Sequence, residues 1–295
     1  MSAVDASSSR LPFRGPLEWP AMLRYFAARA IPGVEHVAGG TYRRTIVVDG
    51  GAGVLELRLG GPGHLVLRRH LPHGEDPRAL VHRARRIFNL DADVDDANAH
   101  LERDPAIGPL VMARPGLRPP GTWDPYEIGV RAIVGQQVSV AGATTVTGRI
   151  VTRHGTPVPG LEAFGLTHTF PPAERLAGAD LDALGLTGAR IAAIRAFAGA
   201  IAADELRLDG SATLDELVAT ICAVPGLGPW TAHYLAIRIG ERDAFPAADL
   251  GLQRALADPD RPTTAVLQAR AEAWRPWRAV AAIHLWSAPA GVRLR

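Results

Sequence analysis

The strongest constraint on the fold is a short turn between two helical stretches. Thr213-Leu-Asp-Glu216 has the pattern of a capping box, and the apolar run that it opens continues to Ala223. Val224-Pro-Gly-Leu-Gly-Pro-Trp230 follows at once, and a second helical stretch runs from Trp230 to about Ile239. Two prolines and two glycines within five residues cannot continue a helix, so the two stretches must fold back on one another. Gly226 and Gly228 can both adopt positive φ without steric cost. A turn of this kind against a helix N-terminus aims backbone N–H groups outward, where the helix dipole also favours an anion such as a phosphate. Most such turns are simple connections, and the turn alone leaves both readings open.

The hydrophobic period changes along the chain. Up to about residue 95 a helical stretch, Trp19–Ala30, is followed by segments that alternate. Thr41–Val48 is β-branched, Val54–Leu59 puts Leu55, Leu57 and Leu59 on one face, and His64–Arg68 continues with Leu65 and Leu67. Glycine pairs between them read as hairpin turns. A helix over Pro77–Phe88 should cover the sheet. Beyond residue 95 the pattern is helical: one or two helices over Asp124–His154 with Asp124 as N-cap, then Leu181–Ala203, the pair at 213–239, Thr263–Trp274 and Arg278–Trp286. The fold class is therefore α+β. A disordered leader (1–10) precedes an antiparallel-sheet domain with flanking helices (11–95) and an all-helical body (96–295).

Hydrophobic residues make up 47% of the 295, enough for two cores and against disorder. The single cysteine, Cys222, lies in an apolar stretch and reads as a buried thiol. One thiol excludes an internal disulfide, a cysteine zinc site and an iron–sulfur cluster. His36, His70, His73, His100, His233 and His284 have no metal-ligand spacing, and the acidic run Asp91, Asp93, Asp95, Asp96 lacks the glycine and terminal glutamate of a calcium loop. The run is expected to be a solvated loop, and no metal site is expected. The net charge is only +2, and all 32 basic residues are arginine, so no side-chain amine exists to form a Schiff base. The apolar stretch Ala279–Val292 is broken by His284, Ser287, Pro289 and Gly291 and is too short to span a membrane. No secretion signal is visible, and a cytoplasmic protein is expected.

Nineteen residues after Trp230 stands Asp249, within Phe245-Pro-Ala-Ala-Asp249-Leu-Gly-Leu-Gln-Arg254. As a local feature Asp249 is a helix N-cap. Together with the turn it resembles the helix–hairpin–helix (213–239) and following catalytic aspartate of the base-excision glycosylase superfamily. Tyr126–Val140, Arg275–Trp286, Leu11–Trp19 and Met22–Ala30 resemble, in the correct order, segments of the AlkA-type 3-methyladenine DNA glycosylases.

The resemblance implies a monofunctional enzyme that flips alkylated purines out of damaged double-stranded DNA and acts as a monomer at the nucleoid. Asp249 would stabilise the oxocarbenium charge, and Trp230, Tyr234, Trp286 and Tyr25 would hold the electron-poor base. Pro225, Gly226, Leu227, Gly228 and Thr231 would hold the DNA backbone, and Gln137 would fill the gap left in the stack. Each aromatic could equally be core packing, the reading favoured for Trp277. Strand-nicking members carry a lysine where Trp230 stands. No cofactor is implied beyond a monovalent cation at the hairpin. Two positions depart from the pattern: Gln137 replaces an apolar wedge, and Ser287 replaces a tyrosine. Alternative readings are a glycosylase for deaminated, oxidised or etheno bases, or a non-catalytic helix–hairpin–helix module.

Overall fold

The computed structural model describes residues 5–48, 50–71, 77–257 and 260–288. Its first part is a five-stranded antiparallel sheet built from β1 (Asp5–Pro12), β2 (Glu35–Ala38), β3 (Thr41–Val48), β4 (Gly51–Gly61) and β5 (His64–Leu71), in the order β1-β5-β4-β3-β2. α1 (Trp19–Ala27) and α2 (Pro77–Ile87) cover one face. Alternation decides which face: Leu55, Leu57, Leu65 and Leu67 are fully buried, with Leu57 opposite Leu67. Leu59 falls where the β4–β5 register slips, and it is exposed rather than in line with Leu55 and Leu57. Trp19, Phe26, Tyr42 and Phe88 close the layer, with ring centroids 4.9 to 5.5 Å apart.

The expected leader is instead strand for most of its length. Asp5–Arg10 pairs with β5, from Asp5 opposite Leu71 to Arg10 opposite Val66. Strand pairing uses backbone donors and acceptors, so the open edge of β5 can hold small polar residues that show no apolar alternation. Residues 1–4, the rest of the leader, lie outside the described residues, as does His73.

The body contains α3 (Val94–Leu101), α4 (Gly108–Ala113), α5 (Pro125–Val134), α6 (Val140–His154), a minimal ribbon of β6 (Thr156–Pro157) and β7 (His168–Thr169), α7 (Ala173–Ala177), α8 (Gly188–Ala202), α9 (Leu214–Ala223), α10 (Pro229–Ile239), α11 (Leu250–Ala255), α12 (Thr264–Ala271) and α13 (Arg278–Trp286). Asp124 caps α5 by accepting from the Tyr126 amide at 2.8 Å. The expected helix over 181–203 starts only at Gly188, where Thr187 is the N-cap, because Ala183 and Gly185 turn the chain through positive φ. The acidic run is not a solvated loop. Asp93 is the N-cap of α3, and Asp95 and Asp96 lie in its first turn, where the helix dipole favours carboxylates. Cys222 is half-buried against the core rather than enclosed by it.

The buried apolar residues form two clusters, one under the sheet and one through the helices. Three ion pairs among the described residues join the two regions, one of them Arg114 with Glu18 at 2.7 Å. Arg44 on β3 donates to both carboxylate oxygens of Glu127 on α5 at 2.7 Å, and Arg131 donates to Glu35 at 3.2 Å. Burial pushes the Glu127 carboxyl up to about 7, against the pull of Arg44. Arg118, 2% exposed, donates to the carbonyls of Pro16, Asn89 and Leu90 and ties the connecting segment to the sheet.

Candidate base-excision site

The capping box forms as expected: the Thr213 amide donates to Glu216 Oε2 at 2.9 Å, and Thr213 Oγ1 accepts from the Glu216 amide. Of the two hairpin glycines only Gly226 has positive φ, at +85°, and a Cβ there would lie 2.7 Å from that of Ala193. Gly228 is extended (φ −122°, ψ 179°) and caps α10 without a side chain. Nothing lies within 4 Å of a Cβ at Gly228, so the first turn of α10 is open to an approaching anion. Pro225 and Gly226 are exposed, whereas the side chains of Leu227 and Thr231 are buried. Those two residues have only backbone to offer a DNA strand, and their side chains seat the hairpin on the body.

The loop between α5 and α6 stands beside the hairpin. Gln137 is exposed and sits in the left-handed region at φ +57°. Its neighbour Gln136 donates from Nε2 to the Gly226 carbonyl at 3.2 Å and to Thr231 Oγ1 at 3.4 Å, while Arg190 on α8 donates to the Gln136 carbonyl. Val138 and Val140, 41% and 42% exposed, flank the projection. Sequence reading missed these exposed apolar residues, although the pattern Gln-Val-Ser-Val gave the signal.

Asp249 is the N-cap of α11, as read from the sequence, and accepts four hydrogen bonds. Oδ1 accepts from the amides of Gly251 at 2.8 Å and Leu252 at 3.0 Å and from Trp286 Nε1 at 2.8 Å. Oδ2 accepts from Trp230 Nε1 at 2.7 Å. The nineteen-residue spacing therefore ends in a direct bond between indole and carboxylate. Gly251 permits the close approach, since a Cβ there would lie 2.9 Å from Asp249 Oδ1 and 3.2 Å from the Trp286 ring. Trp230 and Tyr234 stack with centroids 5.4 Å apart and an interplanar angle of 7°, and Tyr234 meets Trp286 edge-on at 6.4 Å.

These groups line one cleft of about 770 Å³, the size of a small-ligand pocket. Tyr25 reaches it from α1, and Ser287 lies at its α13 edge. Trp277 is outside, half-buried on the core under Arg242. The lining also includes Arg24, Arg29, Arg114, Arg131, Arg238 and Arg254, which sequence reading did not single out because no two are adjacent in the chain. Their convergence gives the cleft the cationic character that a net charge of +2 conceals. Among the described residues no group of histidine, cysteine or carboxylate side chains is arranged to hold a metal. No helix of the described residues is long and apolar enough to cross a membrane.

Residues 130–279 match the family model of the HhH-GPD superfamily of base excision DNA repair proteins, and residues 8–124 match that of the AlkA N-terminal domain. The chain belongs to this superfamily. The DNA-3-methyladenine glycosylase 2 of Escherichia coli is 35% identical over 282 residues, which cover 94% of this chain and 95% of that protein. A probable bifunctional transcriptional activator/DNA repair enzyme AlkA of Mycobacterium tuberculosis is 39% identical over 288 residues, and the chain spans 58% of its length. Among solved structures, a 3-methyladenine DNA glycosylase from Archaeoglobus fulgidus shares the fold, with a TM-score of 0.81 at 22% identity over 94% of this chain and 97% of its own.

Proposed function

We propose that this superfamily member is a monofunctional DNA glycosylase that hydrolyses the N-glycosidic bond of alkylated purines. The observation that carries the reading is Asp249, a carboxylate fixed by four donors at the edge of an aromatic, arginine-lined cleft beside an open helix N-terminus. A stacked base is out of reach of such a group, so the nucleotide must first be extruded, at a cost of a few kcal/mol. The hairpin and α10 N-terminus would hold the backbone, and the Gln137 projection would fill the vacated stack. A purine alkylated at N3 or N7 is cationic and leaves readily as its C1′–N bond breaks. Asp249 then stabilises the positive charge developing on the sugar and orients the attacking water. With Trp230 at the hairpin and no lysine in the sequence, no side chain can form an imine to C1′, and the strand is left intact.

The partner in this reading is double-stranded DNA carrying a damaged base, met by a monomer at the nucleoid of the cytoplasm. The names of the bacterial relatives support the substrate class. The ion that remains compatible with the reading is a monovalent cation on hairpin carbonyls, of which that of Gly226 already accepts from Gln136; no step runs through it.

Purified protein should release 3-methyladenine and 7-methylguanine from methylated duplex DNA, with strand breaks only after alkali. Asp249→Asn should cut release by 10²-fold or more and retain DNA binding. Full release by that variant would remove Asp249 from the chemistry, and breaks without alkali would remove the monofunctional assignment.

A further inference from the structure

Most arginines of the cleft wall are already occupied within the protein. Arg114 is paired with Glu18, and Arg131 with Glu35. Arg238 donates to the Gly121 carbonyl and to the phenols of Tyr25 and Tyr234, and Arg118 donates to backbone carbonyls. Arg29 lies 4.0 Å from the centroid of the Tyr25 ring and donates to that residue's carbonyl at 3.4 Å. Two arginines differ. Arg24 on α1 and Arg254 on α11 line the same cleft, are exposed, and have no hydrogen-bond or ion-pair partner among the described residues. No carboxylate of the cleft wall is left for them, since Glu18 is engaged by Arg114 and Asp249 by its four donors.

Their placement ties them to a nucleotide in the cleft rather than to the duplex at large. Arg254 stands one turn after Gly251 on the cleft face of α11, and the Gly251 amide donates to Asp249. Gly251 has no side chain, so Arg254 is the side chain that α11 adds to the cleft beyond the carboxylate. Arg24 comes from the sheet region, on the helix that carries Tyr25. An alkylated purine is itself a cation and repels a free guanidinium. The anions that accompany an extruded nucleotide are its two flanking phosphodiesters, and a guanidinium fork matches a phosphate with two parallel N–H···O bonds.

Resting on the reading of this cleft as the place where a nucleotide is extruded, we propose that Arg24 and Arg254 grip the two phosphodiesters flanking that nucleotide. One grip comes from each region of the molecule, and together they hold the sugar where Asp249 can reach C1′.

The probe is a duplex with one tetrahydrofuran abasic site, which carries no base, so the outcome does not depend on the lesion that the cleft accepts. Arg24→Gln and Arg254→Gln should each weaken binding about tenfold and make the dependence of log Kd on log salt shallower by about 1. Arg68→Gln removes the same charge from an exposed position on β5, outside the cleft, and should stay within about twofold of wild type. A neutral methylphosphonate is then placed, one at a time, at each linkage flanking the abasic site. At one of the two linkages Arg24→Gln should bind within about twofold of wild type, because its contact is already gone, and at the other Arg254→Gln should do so. With the neutral linkage far from the site, both variants should keep their loss. Losses that persist at both flanking linkages, or an equal loss in Arg68→Gln, would overturn the proposal in favour of general attraction to DNA. A wild type that binds intact and abasic duplexes equally would strike the reading of the cleft as a nucleotide site, and the proposal with it.

Discussion

The two regions of the molecule supply the cleft unequally. The sheet region provides Glu18, Arg24, Tyr25 and Arg29, all on α1 or within two residues of its ends. The helical body provides Val138, Ser139 and Val140 beside the Gln137 loop, both indoles, Tyr234 and Asp249. Among the described residues the sheet strands send nothing to the cleft; two of their polar side chains reach the body instead, Arg44 to Glu127 and Glu35 to Arg131. The difference shows that the sheet region acts mainly as a clamp. It holds one helix, with Tyr25 on it, against a site whose chemistry belongs to the body.

The sharpest way to break that division is to cut the clamp. Glu127→Ala leaves Arg44 charged, buried and unpaired, which should lower unfolding free energy by about 3–5 kcal/mol in guanidinium titrations. Replacing the pair together, Arg44→Met with Glu127→Leu, should recover most of the loss, because burying a charge costs about as much as the pair returns. No recovery would mean that the two regions need the ion pair itself.

The body has its own sensitivity, of the opposite sign to Glu127. His284 on α13 is 1% exposed, and burial, aided by Arg114, lowers its pKa to about 4. An unfolded histidine takes its proton near pH 6.5, before the folded one does. The stability that His284 contributes is therefore complete above about pH 6.5 and lost progressively toward pH 4, by up to about 3 kcal/mol. Glu127, raised rather than lowered, shifts stability the other way between about pH 7 and 4.5. The difference between wild type and His284→Leu across pH 4–7 isolates the histidine, and a flat difference would remove it as the source.

The smallest test separates the two hairpin glycines. Gly226→Ala forces a side chain into positive φ and against Ala193, and should cost about 1–2 kcal/mol and weaken DNA binding. Gly228→Ala meets neither obstacle and should leave thermal stability within about 0.5 kcal/mol. Equal losses would show that the turn as a whole, rather than Gly226, is strained.

Local signals were readable in the sequence where one residue's chemistry settles one piece of backbone. Thr213 with Glu216 marked a helix start, the alternating leucines of β4 and β5 marked a buried face, and Asp249 announced its own cap. Strand β1 was hidden because its pairing rests on backbone, and the one serine contact across it, Ser9 Oγ accepting from Arg69 at 3.1 Å, follows no apolar period. The arginines of the cleft were hidden because they come from α1, α5, α10, α11 and neighbouring turns, and only the tertiary fold brings them together. The indole bonds to Asp249 were hidden for the same reason. Trp230 and Trp286 were assigned to the base as stacking faces, while their N–H groups had a second task that no spacing reveals. Gly251 was passed over because its backbone is ordinary; what requires a glycine there is the Asp249 carboxylate and, behind it, Trp286 from α13.

Gln136 is bonded at once to the hairpin carbonyl and to Thr231, and it stands next to the residue that projects. These two bonds tie the hairpin and the projecting loop together, so on the proposed reading the grip on the strand and the parting of the stack are held at a fixed separation, like the jaws of a caliper. On the proposed reading, the nucleotide offered to the cleft is chosen by register, a fixed count along the strand from the held phosphate. Damage is then judged only after the choice has been made, so intact bases must be opened and returned many times for each one removed.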